Sequence, residues 1–144
     1  MATYADSSFL LKLYIREPET PQALAAITAT TRPLIFTALH RLELSNAIRR
    51  NVASKKVRKG QAVRAFQSLR HDLRSGLYDV PAVPWERLYR RALRLSRKHA
   101  PTLQVRSLDL LHVAAALELG ATDFLTFDDR QLKTAEAEGL NVGP

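Results

Sequence analysis

The stretch ATYADSSFLLKLYI, residues 2–15, decides the fold class. Ala2 to Ala5 form a short apolar run that leads straight into Asp6-Ser7-Ser8, and Phe9, Leu10, Leu11, Leu13, Tyr14 and Ile15 follow with helical spacing. A strand that ends on a capping residue and passes directly into a helix opens a βα unit, with Asp6 or a neighbouring serine as the N-cap. Asp6 therefore falls at the carboxyl end of a strand.

Outward from that unit the same alternation continues. Residues 19–30 are Ala-rich and helical, 33–36 read as a second strand, and Thr37 is the N-cap of a helix through Arg50. Helical patterning resumes from Val57 to Arg74. Tyr78 to Val83 is a short strand broken by Pro81, and Pro84 opens a helix through Lys98. Ser107 caps the next helix, which ends at Gly120; Asp123 to Phe127 is a strand, 129–138 a helix, and Leu140 to Val142 a last strand. Strands alternating with helices imply parallel pairing and right-handed crossovers, hence a three-layer α/β/α sandwich with a parallel sheet. In such sheets ligands bind at the carboxyl ends of strands, where the strand order reverses.

With 144 residues and no internal repeat, one domain over residues 1–144 is expected. The absence of cysteine excludes a disulfide framework, a thiolate zinc site and a cysteine nucleophile, and fits a cytoplasmic protein. No apolar run approaches the length of a membrane span, and MATYADSS lacks a signal-peptide pattern. There is no Walker A segment, GxGxxG, GxSxG or HExxH, and His40, His71, His99 and His112 lack a zinc-ligand spacing. The chemistry left to the chain is that of its carboxylates.

Four acids occupy comparable places. Asp6 follows the first strand; Glu43 lies between Leu39 and Ala47 on the apolar arc of its helix and faces inward; Asp109 stands in the first turn of a helix that is otherwise nearly all apolar; Asp128 follows the strand ending at Phe127. Each has a plain structural role open to it: a helix cap for Asp6 and Asp128, an ion pair for Glu43, a macrodipole contact for Asp109. Asp129 competes with Asp128 for the fourth place. Converging carboxylates repel and raise one another's pKa unless a hard divalent ion neutralises them, so the set implies Mg²⁺ or Mn²⁺. His112 reads as a hydrogen-bonded core histidine outside this site.

Taken together, YADSSFLLKLY, TALHRLELSNAI, RSLDLLHVAAALELGA and DFLTFDDRQL, in that order and at those separations, resemble the PIN-domain ribonucleases, and within them the VapC-like toxins of toxin-antitoxin pairs. The resemblance spans essentially the whole chain. It implies a parallel sheet in the order 3-2-1-4-5, an acidic quartet of Asp6, Glu43, Asp109 and Asp128, and metal ligation by Asp6, Asp109 and Asp128, with Asp6 and Asp109 the principal ligands. Ser7 and Thr126 match small hydroxyl positions beside the site. The activity implied is divalent-metal-dependent hydrolysis of RNA, with a small cognate antitoxin as partner and homodimerisation expected.

Charge agrees with a polyanionic substrate. The net charge of +8 is carried by one segment: between Glu43 and Asp72 there is no acid, while Arg49, Arg50, Lys55, Lys56, Arg58, Lys59, Arg64 and Arg70 supply eight cations. Arg49, Arg50, Lys55, Lys56, Arg58 and Lys59 are the candidate RNA contacts. A second stripe, Arg87, Arg90, Arg91, Arg94, Arg97 and Lys98, reads as a solvated helix face. Aromatic residues are few, which speaks against base stacking as the basis of recognition. Two rival functions share these features: a housekeeping RNA-processing nuclease, and an RNA-binding or regulatory module without catalysis.

Overall fold

A computed structural model describes residues 2–30 and 33–144. In chain order the elements are β1 (Ala2–Ala5), α1 (Ser7–Tyr14), α2 (Thr20–Ala29), β2 (Leu34–Ile35), α3 (Ala38–Ala53), α4 (Lys59–Ser75), β3 (Tyr78–Asp79), α5 (Trp85–Leu103), α6 (Ser107–Glu118), β4 (Ala121–Leu125), α7 (Asp129–Ala137) and β5 (Asn141–Gly143). Among the described residues one sheet is formed, in the order β3-β2-β1-β4-β5, and every neighbouring pair is parallel. This is the order that the resemblance implied. The chain leaves β1 toward β2 and β3 on one side and returns to β4 and β5 on the other, so the crevice lies between the carboxyl ends of β1 and β4.

Side chains alternate across the strands and divide the core into two layers. Tyr4, Ile35 and Phe124, aligned across β1, β2 and β4, face α5, α6 and α7, where they meet Leu88, Leu95, Val113, Ala114 and Ala135. Ala5, Leu34, Phe36 and Leu125 face the other way, onto Phe9, Leu10, Ala23, Leu44 and Leu69 of α1 to α4. The rings of Tyr4 and Phe124 stack at 5.7 Å. Emptying such a site, as in Phe124→Ala, costs about 3–5 kcal/mol. A smaller cluster of Ile15, Ile48, Val57, Ala62 and Ala65 supports the α3–α4 hairpin and its basic turn.

Several boundaries differ from the sequence reading, each for a local reason. The N-cap of α6 is Arg106, and Ser107 is its first helical residue. β4 begins two residues earlier and ends at Leu125; Thr126 and Phe127 prolong the apolar run past the end of the strand, so Asp128 stands three residues beyond it. β3 is only Tyr78–Asp79, and the rest of the run to Val83 is irregular. α5 continues past Lys98 through Pro101 to Leu103, closed by Gln104 in the left-handed region at φ +54°. Gly120, at φ +73°, turns the chain from α6 into β4 in a conformation that a side chain would strain.

Candidate active site

Asp6 is the cap that the sequence offered. Its Oδ1 accepts the Phe9 N–H at 2.8 Å and starts α1, while Oδ2 accepts from Ser8 Oγ at 2.9 Å. It is also buried, at 3% exposure. Oδ2 lies 3.1 Å from Thr126 Oγ1, which accepts the Asp128 N–H at 3.0 Å and stands 2.8 Å from Gln131 Oε1. That hydroxyl has one proton for two acceptors, so it serves Asp6 or Gln131 but not both at once. Burial raises the Asp6 pKa, and the opposing pull of His112, the Phe9 N–H, Ser8 and Thr126 does not cancel it.

Glu43 is half-buried, not central to the buried face of α3. The helix buries His40, Leu44 and Ile48, one residue round from the arc read from the sequence, which leaves Glu43 at the margin, looking into the crevice. Its Oε1 accepts from Ser7 Oγ at 2.9 Å and from His112 Nε2. Burial pushes the Glu43 carboxyl up, but the hydrogen bond and electrostatic pull of His112, the Ser7 hydroxyl and the field of Arg106 outweigh it and hold the group below its ordinary value. His112 thus belongs to the site. It is the hydrogen-bonded core histidine that the sequence suggested, with Nδ1 2.8 Å from the Tyr4 hydroxyl, yet its other nitrogen reaches a candidate catalytic acid. The available signal was its place one turn after Asp109 on the same helix.

Asp109 lies in the first turn of α6 and receives Arg106 Nε at 3.1 Å, an (i, i+3) pair across the helix start. Its backbone carbonyl accepts from Gln131 Nε2 at 3.2 Å, which ties α6 to α7. Asp128 caps α7 through Oδ1, which accepts the Gln131 N–H at 2.9 Å. Asp129 is exposed and turned to Lys133 at 2.8 Å, whereas Asp128 lies within the field of Arg106. Arg106 was absent from the sequence reading. Its guanidinium is held above its ordinary pKa first by the hydrogen bond and charge of Asp109, with Asp128 and Glu43 adding to the effect.

As the side chains stand, no three His, Cys, Asp or Glu among the described residues come close enough together to hold one ion. Each carboxylate is turned toward a cap, a hydroxyl or a cation. The donor set nonetheless fits a hard divalent cation: it offers carboxylate oxygens and no sulfur, its buried member has a raised pKa that a nearby cation would lower, and the other three already share the field of Arg106.

The basic segment is exposed throughout Arg49, Arg50, Lys55, Lys56, Arg58 and Lys59, at the far end of α3 and the start of α4. Arg49 lies over the Phe66 ring at 5.1 Å. At about 1.5 Å per residue Arg49 and Arg50 stand about 9 to 10 Å along α3 from Glu43, and the other four cations lie beyond the end of that helix. The second stripe is partly neutralised. Arg87 and Arg91 hold Glu118 at 2.9 and 2.5 Å, Arg90 pairs with Glu86, and Lys98 reaches Glu138 at 2.9 Å.

Residues 3–137 match the sequence profile of the PIN domain. The chain belongs to the PIN-domain family. It is 31% identical to Ribonuclease VapC46 of Mycobacterium tuberculosis over 143 residues, an alignment covering 98% of this chain and 95% of the relative. Its fold is similar to that of a toxin-antitoxin complex from Klebsiella pneumoniae, with a TM-score of 0.65 at 15% identity, covering 99% of this chain and 96% of the other. It is similar also to VapBC2 from Rickettsia felis bound to a DNA fragment from its promoter, with a TM-score of 0.63 at 14% identity, covering 99% and 98%. No described helix is long and apolar enough to cross a membrane.

Proposed function

We propose that this chain is a divalent-metal-dependent endoribonuclease, using Mg²⁺ or Mn²⁺, and the toxin of a toxin-antitoxin pair. The observation that carries the reading is the buried, raised-pKa Asp6 at the switch between β1 and β4, with Asp109, Asp128 and Glu43 around the same crevice. The likeness to a relative named as a ribonuclease supports it. Asp6, Asp109 and Asp128 would hold the metal, and ligation asks Asp109 to turn from Arg106.

When bound, the ion supplies positive charge at the scissile phosphate and lowers the pKa of water in its shell. The chain does the rest. Asp6, fixed at both oxygens by the Phe9 N–H and the Ser8 hydroxyl, keeps its carboxyl in one place at the end of β1. Glu43 holds and orients the attacking water, since among the described residues its Oε2 has no hydrogen-bond partner while Oε1 has two. Arg106, released from Asp109, faces the phosphate backbone. The cations from Arg49 to Lys59 draw RNA to an acidic pocket that would otherwise repel it.

A small antitoxin is the protein partner in this reading, as in the toxin-antitoxin complexes that share the fold. Homodimerisation is part of the same reading, and the exposed Tyr89 and Leu93 of α5 offer apolar surface for it.

The test is incubation of the purified chain with structured cellular RNA, with Mg²⁺, with Mn²⁺ and with EDTA, alongside Asp6→Asn. Discrete metal-dependent fragments that the variant does not make are the expected result. Intact RNA across a broad panel, with metal bound, would overturn catalysis in favour of a binding module.

A further inference from the structure

α6 is buried almost without interruption from Leu110 to Ala116, and an imidazole in such a helix is costly unless both nitrogens are satisfied. His112 satisfies both, toward opposite ends: Nδ1 meets the Tyr4 hydroxyl at 2.8 Å in the core, and Nε2 meets Glu43 Oε1 at the crevice. Turning the ring would break both bonds. Tyr4 has no freedom of its own. It is fully buried, stacked on Phe124 at 5.7 Å and packed against the His40 ring at 4.8 Å, with the Thr37 hydroxyl beside its phenol oxygen. Ser7, in the first turn of α1, adds a second donor to the same Glu43 oxygen. A flexible, half-exposed glutamate is thus gripped at Oε1 from the core, and Oε2 is left facing the crevice.

We propose that Tyr4 and His112 are positioning residues for Glu43, a core-anchored arm that fixes which carboxylate oxygen is presented to the reaction. The inference rests on the reading of Glu43 as active in cleavage. A purely structural role predicts something different, because a buried hydrogen-bonded pair replaced at both ends by apolar groups of similar shape costs little stability.

The experiment therefore uses the paired variant Tyr4→Phe with His112→Leu, alongside His112→Gln, whose amide can still donate toward Glu43. Cleavage kinetics on RNA are read with denaturation curves. The paired variant is expected to fold, to lose 10- to 100-fold in kcat and to keep its KM, as removal of a partner that orients an active group commonly does. His112→Gln should recover most of that loss. In a Glu43→Ala background His112→Leu should cost nothing further; losses that multiply in that background, or a paired variant with full kcat, overturn the proposal. A second readout does not depend on turnover: the Nε2–H resonance of His112 in ¹⁵N–¹H spectra should shift on Glu43→Ala, and an unmoved resonance overturns the proposal on its own. A parent chain that makes no metal-dependent fragments overturns the nuclease reading instead, and the resonance then decides the arm alone.

Discussion

Arg106 Nε stands 3.1 Å from Asp109 Oδ2, an arginine at the helix cap paired with an acid in the first turn, and the arginine side chain is 75% exposed to solvent. The pair gives the acidic crevice a built-in cation whose field also reaches Asp128 and Glu43. A divalent ion entering the crevice meets that charge and competes with it for Asp109. Arg106→Ala should therefore tighten Mn²⁺ binding, roughly three- to tenfold at low ionic strength, with the gain shrinking as salt is raised. Titration calorimetry measures this; an unchanged affinity would put Arg106 outside the reach of the ion.

Asp6 starts α1 and lines the crevice, and substitutions separate the two roles. Asparagine can still accept the Phe9 N–H, whereas Asp6→Ala loses the cap at a cost of about 1 kcal/mol. Both should reduce metal-dependent cleavage at least a hundredfold. Because the folded-state pKa of Asp6 lies above the ordinary 3.8, its contribution to stability is complete below that value and is lost as pH rises through the folded pKa. Metal-free Asp6→Asn should then be at least as stable as the parent at neutral pH, with any advantage gone below pH 3.8. Denaturant melts at the two pH values check both statements.

His40 predicts an acid limit that has nothing to do with metal. Its Nδ1 accepts the Thr37 N–H at 3.0 Å, and its Nε2 donates to the Ala5 carbonyl at 2.8 Å, so the ring is held neutral where β1 meets α3. Burial first, then the charge of His112, lowers its pKa from 6.5 to about 3. A depressed pKa gives stability that is present above 6.5 and drains away as pH falls toward 3. The loss between pH 6.5 and about pH 4 should be about 3 kcal/mol from this one group. His40→Gln should flatten the curve across that window; an unchanged slope would assign the acid limit elsewhere.

Charge reversal at Lys55, Lys56 and Arg58 should weaken RNA binding and lower the slope of log affinity against log salt by roughly one for each phosphate that is no longer neutralised, with thermal stability unchanged. The same reversal at Arg87 and Arg91 should act differently. Those two hold Glu118, whose side chain is 3% exposed, so the damage there should fall on stability and leave the RNA salt slope alone. Filter binding across a salt series, paired with melting curves, separates the two outcomes.

The alternation of strands and helices and the place of each acid along the chain were legible because those signals are short-range, whereas the strand order came from the resemblance alone. A strand that ends on Asp6 and a helix whose first turn carries Asp109 are written in consecutive residues. Less legible was anything decided by what a side chain meets across the fold. Thr126 and Phe127 extend the apolar run of β4, and only the end of the pairing with β1 shows that the strand has stopped. Glu43 read as central to its buried arc because apolar residues flank it, yet α3 sits rotated so that Leu44 takes the core and Glu43 its edge. His112 looked like a core residue and is one; its second bond, to a residue 69 positions earlier, has no trace in local spacing. Arg106 carried only its distance of three residues from Asp109, a spacing common on any helix.

Asp6 and Asp128 each start a helix with the same kind of carboxylate that the crevice needs, and asparagine is as good a starter as aspartate. In the genetic code the two amino acids are one base apart. A single transition at either codon would leave the architecture and the outer surface intact while removing the charge from the crevice. On the nuclease reading proposed above, lineages carrying this gene are therefore one mutational step from a well-folded copy without that activity, whose exterior is unchanged.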